Sequence, residues 1–95
     1  MTPVISSVRY KRATAAQRRE GLEGWISFVL NGQFAVDGVA LRRGRLGRLA
    51  LSWPARKDGG GHQHHYLRPL HTQARHVVEG ELLAQLYPLI RGDAA

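Results

Sequence analysis

The sequence predicts an α+β fold, an antiparallel β-meander of four to five strands followed by one C-terminal amphipathic helix packed on the sheet. As far as Pro69, short apolar runs alternate in polarity and are separated by Gly-containing turns. Beyond Pro69, the apolar residues recur at spacings of three and four, which is the period of a helix. The 95 residues have room for a single domain, which we expect to span 1–95.

The first strands are predicted from alternating polarity. β-type residues dominate the run from Val4 to Tyr10, and Leu22–Leu30 alternates, with Trp25 opposite the face of Ile26, Phe28 and Leu22. Asn31-Gly32 supplies the positive φ values of a two-residue hairpin turn. We therefore expect Leu22–Leu30 and Phe34–Leu41 to form a hairpin.

A basic turn, Arg42–Arg48, follows this hairpin and contains four arginines and two glycines. It leads to a short strand, Leu49–Trp53, which Pro54 ends. The segment Ala55–Gly61 closes with three glycines and predicts a flexible loop, and His64–Arg68 predicts a last edge strand.

The final predicted element is a helix that Thr72 caps and whose length Pro88 limits. Gly80 weakens it, so we expect its stability to come from packing on the sheet. Its apolar stripe consists of Ala74, Val77, Val78, Leu82, Leu86 and Leu89.

Composition excludes several classes of protein. The chain has no cysteine, which excludes a disulfide framework, a cysteine zinc module and a thiol nucleophile. No run approaches the ~18 apolar residues of a membrane span, and no signal-like apolar segment follows the start, so we expect no membrane partner. GxSxG and HExxH motifs are absent and the carboxylates are scattered, so we expect no enzyme, small-molecule substrate or cofactor.

The positive charge points to a nucleic-acid partner. There are 14 Lys+Arg against 7 Asp+Glu, a net charge of +7. In the basic turn, guanidinium groups can bind phosphate oxygens in pairs, and glycine permits close backbone approach. A second basic element, the pair Arg56-Lys57, follows Pro54. Arg75 lies in the first helical turn, where a cation opposes the helix dipole, and this suggests that Arg75 binds a group outside the helix. The predicted contacts are Arg42, Arg43, Arg45, Arg48, Arg56, Lys57 and Arg75.

Trp25 and the histidines each have two possible roles. Trp25 is either the anchor of a dimer interface or a platform on which bases stack, and we expect the interface. His62 and His64, two residues apart, could share a metal ion, but they lack cysteine partners, so we expect polar surface histidines and no metal.

The chain resembles the SpoVG family (stage V sporulation protein G, also called septation protein). From Arg48 to Leu83 it reads RLALSWPARKDGGGHQHHYLRPLHTQARHVVEGELL. This matches the family's order of a strand entering a proline, basic residues, a glycine loop, a strand ending in proline, and a helix. The link Ala13–Gly21 is longer than in the family, and Ala55 and His65 replace its polar and acidic residues. The matching positions are Pro54, Arg56, Lys57, Gly61, Pro69, Arg75, Val78 and Leu82.

The resemblance implies a homodimeric, cytoplasmic bacterial regulator of gene expression that binds DNA or RNA and is linked to septation and sporulation. It implies no catalysis. The alternative hypothesis is a non-enzymatic protein-interaction module whose basic loops dock an acidic partner. Charge alone does not separate the two, because both partners are anionic.

Overall fold

The computed structural model describes residues 2–94, with side chains through residue 90. Its main sheet is an antiparallel meander with the strand order β1-β2-β3-β4, and a long C-terminal helix, α2, packs on it. The predicted α+β class is therefore confirmed. These elements are β1 (Ile5–Arg12), β2 (Leu22–Leu30), β3 (Phe34–Arg43), β4 (Leu49–Ser52) and α2 (Thr72–Ala94).

The core lies between α2 and one face of this sheet. Val78, Leu82 and Leu86 recur every fourth residue and are all buried, so one stripe of the helix faces the strands. Trp53 closes the core and sets its ring edge-on to Phe28, with the ring centroids 6.2 Å apart. The strands contribute Ile5, Ile26, Phe28, Val36, Val39 and Leu41.

Leu22 lies on the other side of the sheet from the core, although its alternation predicts the side of Ile26. The register of β2 on β3 shifts between Leu22 and Gly24, and this bulge reverses the direction of Leu22. Leu22 is buried there in a second small cluster with Ala13 and Ala40.

The β2–β3 connection has three residues, where the sequence predicts two. Leu30 pairs with Phe34, and the Gln33 amide donates to the Leu30 carbonyl at 3.1 Å. Asn31 and Gly32 do take positive φ values, 54° and 65°. The third residue changes the turn from the two-residue type to a longer loop but leaves the hairpin in place.

Two further strands, β5 (Ala55–Lys57) and β6 (Gln63–His65), form a separate two-stranded sheet, which we call the distal hairpin. The sequence predicts a flexible loop over Ala55–Gly61 and an edge strand at His64–Arg68. Both predictions are wrong in detail, because these short strands pair with each other. Only residues 58–62 form the loop between them.

The helix differs from its prediction at both ends. The Ala74 amide donates to His71 Nδ1 at 3.1 Å, so the imidazole, and not Thr72, provides the cap. Pro88 lies inside α2 and does not end it. A proline removes one backbone hydrogen bond, but the buried stripe holds the helix on the sheet through Leu86.

A short helix, α1 (Ala15–Arg19), follows β1 and is absent from the sequence prediction. Thr14 and Gln17 form a capping box, in which the Gln17 amide donates to Thr14 Oγ1 at 3.2 Å. The helix contacts β2. It lies within the link Ala13–Gly21 between β1 and β2.

Candidate nucleic-acid interface

The sheet has one face under α2 and a second face that α2 does not cover, which we call the open face. In the register of the strands, Lys11 lies opposite Trp25, which in turn lies opposite Ala40. Arg9 lies opposite Ser27, the next position on the same face. Two residues beyond Ala40 on β3, Arg42 extends this face toward β4. The exposed residues of the open face are therefore Arg9, Lys11, Trp25 and Arg42, with Ser27 half-buried, while Ala40 beside Trp25 and Leu22 opposite Arg42 are buried in it.

A shallow depression of about 170 Å³ lies on the part of the open face formed by β1, β2 and the bulge at Asp37 and Gly38. Trp25, whose side chain is 38% exposed, forms part of it. Gly38 lines it too, at a φ of 78° that favours glycine, and a Cβ there would meet nothing within 4 Å. The indole of Trp25 is thus partly accessible to solvent, and Gly38 has no side chain that could cover it. The other side chains around the depression include Arg9, Lys11, Ser27 and Asp37.

The basic turn joins the open face at Arg42. Arg42 and Arg43 complete β3, where the sequence predicts a turn, and the connection itself is a 3-10 turn at Arg45–Gly47. Arg42, Arg45 and Arg48 are all exposed and form no ion pair with any carboxylate among residues 2–90. Three of the four predicted guanidinium groups are therefore free to bind an anion.

Arg43 is the exception, because its guanidinium is already bound. Its Nε donates to Glu23 Oε1 at 2.7 Å, and Nη1 donates to the Gly47 carbonyl at 3.4 Å. The hydrogen bond and the charge of Glu23 raise the pKa of Arg43 above its usual value. Arg43 ties the basic turn to β2 and is poorly placed to contact phosphate.

Arg56 and Lys57 lie on the distal hairpin, opposite His64 and Gln63. Asp58 organises its loop: Oδ1 accepts from the amides of Gly60 and His62, each at 2.9 Å. Asp58 Oδ2 lies 2.7 Å from His64 Nε2. The hydrogen bond from His64, followed by the amide of His62, lowers the pKa of Asp58. Arg56 and Lys57 are exposed, and neither forms an ion pair with a carboxylate within residues 2–90.

Arg75 lies on α2, on the far side of the sheet from Trp25. Its Nε is 3.8 Å from Glu79 Oε2, and the same oxygen accepts a hydrogen bond from Trp53 Nε1 at 2.8 Å. Glu79 thus joins the helix to the end of β4. This arrangement explains a cation in the first helical turn without an external ligand, because Arg75 neutralises a structural carboxylate.

The predicted contacts therefore fall on three separate elements: the end of β3 with its turn, the distal hairpin, and the first turn of α2. Only Arg42 shares the open face with Trp25. Arg9, Lys11 and Asp37 are not among the residues predicted from the sequence. Their signal is the alternation along β1, which sets Arg9 and Lys11 on one face, and the pairing with β2 then places them beside Trp25.

No cluster of three or more His, Cys, Asp or Glu side chains within the described part of the chain could hold a metal ion. Among the helices of residues 2–94, none is long and apolar enough to cross a membrane. No protein-family model matches the chain, and no curated protein sequence matches it either. Membership of the SpoVG family therefore stays a prediction that the fold does not test.

Proposed function

We propose that this chain is a nucleic-acid-binding regulator of gene expression that acts as a homodimer. One observation carries the proposal: exposed cations lie on the open face and along the basic turn, and none of them forms an ion pair with a carboxylate among residues 2–90. Such cations attract the phosphate backbone and release its counterions. The cations concerned are Arg9, Lys11, Arg42, Arg45 and Arg48.

Four carboxylates have partners away from the open face, whereas Asp37 lines its depression and forms no ion pair with a residue among 2–90. Glu23 holds Arg43, Asp58 holds the distal hairpin, and Glu79 holds Trp53 and Arg75. Glu81 Oε1 accepts from Gln85 on the next turn of α2. Most of the net charge of +7 therefore lies on exposed cations that form no ion pair among residues 2–90, as expected of a protein that binds an anionic polymer.

The resemblance to the SpoVG family supports the remaining parts of the proposal. It implies the regulatory role, the links to septation and sporulation, the cytoplasmic location and the homodimer. Apolar side chains that a dimer could cover surround the start of α2, where Tyr66 and Leu70 are 69% and 77% exposed. The distal hairpin, through Arg56 and Lys57, can add phosphate contacts beside this region.

The test is a titration of the purified protein with matched single-stranded and double-stranded DNA and RNA over a range of salt concentrations. Five free cations that each neutralise one phosphate predict a slope of log K against log[salt] of magnitude about 4 per chain. Sedimentation at micromolar protein is expected to show a dimer. A flat salt dependence, or no binding at low salt, would favour the alternative of an acidic protein partner.

A further inference from the structure

We propose that the open face binds single-stranded nucleic acid, with one unpaired base stacked on Trp25 and the flanking phosphates held by Arg9, Lys11 and Arg42. The inference rests on the proposed function and deepens it, since it names the strand state of the ligand and the site that reads it. The site consists of an exposed aromatic side chain with Arg9 and Lys11 beside it and Arg42 farther along β3.

The neighbours of Trp25 leave room for a base. Across the strands lie Ala40 and the stem of Lys11, and Ser27 follows on β2, so the side chains beside the indole are small or flexible. Gly38 adds no side chain to the depression. A planar base can therefore approach the indole, and stacking of this kind accepts any base because every base presents a π-face.

The geometry favours unpaired bases over a duplex. Inside a duplex, each base is stacked on its neighbours, so the indole of Trp25 cannot reach a base face without unstacking it. A single strand can turn a base outward onto the sheet while its phosphates remain beside the cations. Asp37, an acidic side chain at the depression, is able to accept hydrogen bonds from the amino groups of a stacked base.

The same charges disfavour a second copy of the chain as the occupant of this face. Trp25 is the dimer anchor expected from the sequence, but a twofold contact centred on it would oppose Arg9, Lys11 and Arg42 of one copy to those of the other. Burying like charges against each other costs free energy, whereas a polyanion neutralises them. We therefore assign Trp25 to the ligand and leave the dimer to another surface.

The experiment compares Trp25→Ala, Trp25→Phe and Phe34→Ala in titrations with a single-stranded oligonucleotide and its duplex at fixed salt. Phe34 is the matched control, an aromatic side chain 63% exposed on the same sheet that pairs with Leu30 on the α2 side. One stacked base contributes about 1–3 kcal/mol, so Trp25→Ala should weaken single-strand binding by about 5- to 150-fold. Phe34→Ala should change it by less than about twofold.

Tryptophan fluorescence supplies the second measurement. Trp53 is buried, so single-stranded ligand should quench the exposed Trp25, and Trp25→Phe should lose the quenching but retain most of the affinity. Binding that persists unchanged in Trp25→Ala, or equal dependence on Trp25 for the duplex, would overturn the inference and leave the proposed function standing. A Trp25→Ala monomer from a dimeric parent would also overturn it. Failure of the parent protein to bind any nucleic acid would overturn the proposed function itself.

Discussion

Replacing Arg42, Arg45 and Arg48 together with alanine should weaken nucleic-acid binding and reduce its salt dependence, whereas Arg43→Ala should do neither to a comparable extent. The four arginines belong to one basic turn and look equivalent in the sequence. The structure separates them, because Arg43 alone of the four is bound to a carboxylate among residues 2–90, namely Glu23 at 2.7 Å.

The magnitude follows from the number of free guanidinium groups. Each phosphate contact adds about 0.7–0.9 to the slope of log K against log[salt], so loss of three contacts lowers its magnitude by about 2 to 3. Arg43→Ala removes a cation that Glu23 already neutralises, and the slope should change by less than about 0.5. Because Arg43 also holds the turn to β2, its loss should instead lower the free energy of unfolding, by at most about 1 kcal/mol for an exposed pair.

The assay is fluorescence anisotropy with one labelled single strand at several salt concentrations, and circular dichroism checks that each variant is folded. Two unrelated sequences are titrated, since phosphate contacts should weaken both alike. Contrary results are a slope that falls as much in Arg43→Ala as in the triple variant, or a triple variant that reorders the two sequences. Either one would show that these arginines are not sequence-blind phosphate contacts.

Three further outcomes are expected. Gly24→Ala should destabilise the fold by about 1–3 kcal/mol in urea denaturation, because its Cβ would lie 2.6 Å from the Lys11 carbonyl oxygen. Gly80→Ala is the control: its Cβ would meet nothing within 4 Å, so this variant should be neutral or stabilising. Leu82→Ala should cost about 3–5 kcal/mol, since Leu82 is fully buried between helix and sheet, and a loss under about 1 kcal/mol would contradict this packing. In an NMR titration, His64→Ala should raise the pKa of Asp58 toward its usual value. Because the pKa of Asp58 is lower in the folded protein than in the unfolded chain, ionised Asp58 stabilises the distal hairpin at pH values above its unfolded pKa. This stabilisation is lost as the pH falls through the folded pKa.

Polarity patterns predict the strands and the helix well, because burial of one face imposes a period on the sequence. Leu82 and Leu86 on α2, and Ile26 and Phe28 on β2, lie in the core as their spacing predicts. The pattern fails where backbone geometry changes the period. The bulge after Leu22 turns that residue to the other face, and no residue type marks it in advance.

The candidate site is less predictable than the fold, because it depends on pairing between distant segments. Charge alone cannot show that Glu23, twenty residues earlier in the chain, forms an ion pair with Arg43, or that Glu79 forms one with Arg75. The open face likewise exists only once β1 and β2 are in register, which sets Lys11 opposite Trp25. The short helix α1 is predictable from the sequence, because Thr14 and Gln17 have the spacing of a capping box.

The most direct test of the central claim is amide chemical-shift mapping of the protein during titration with a short single strand. If the open face binds nucleic acid, the largest shifts occur at Arg9, Lys11 and Trp25 and from Arg42 to Arg48, and they diminish as salt is added. Shifts confined to α2 and the segment around Tyr66, or no shifts at low salt, would contradict it.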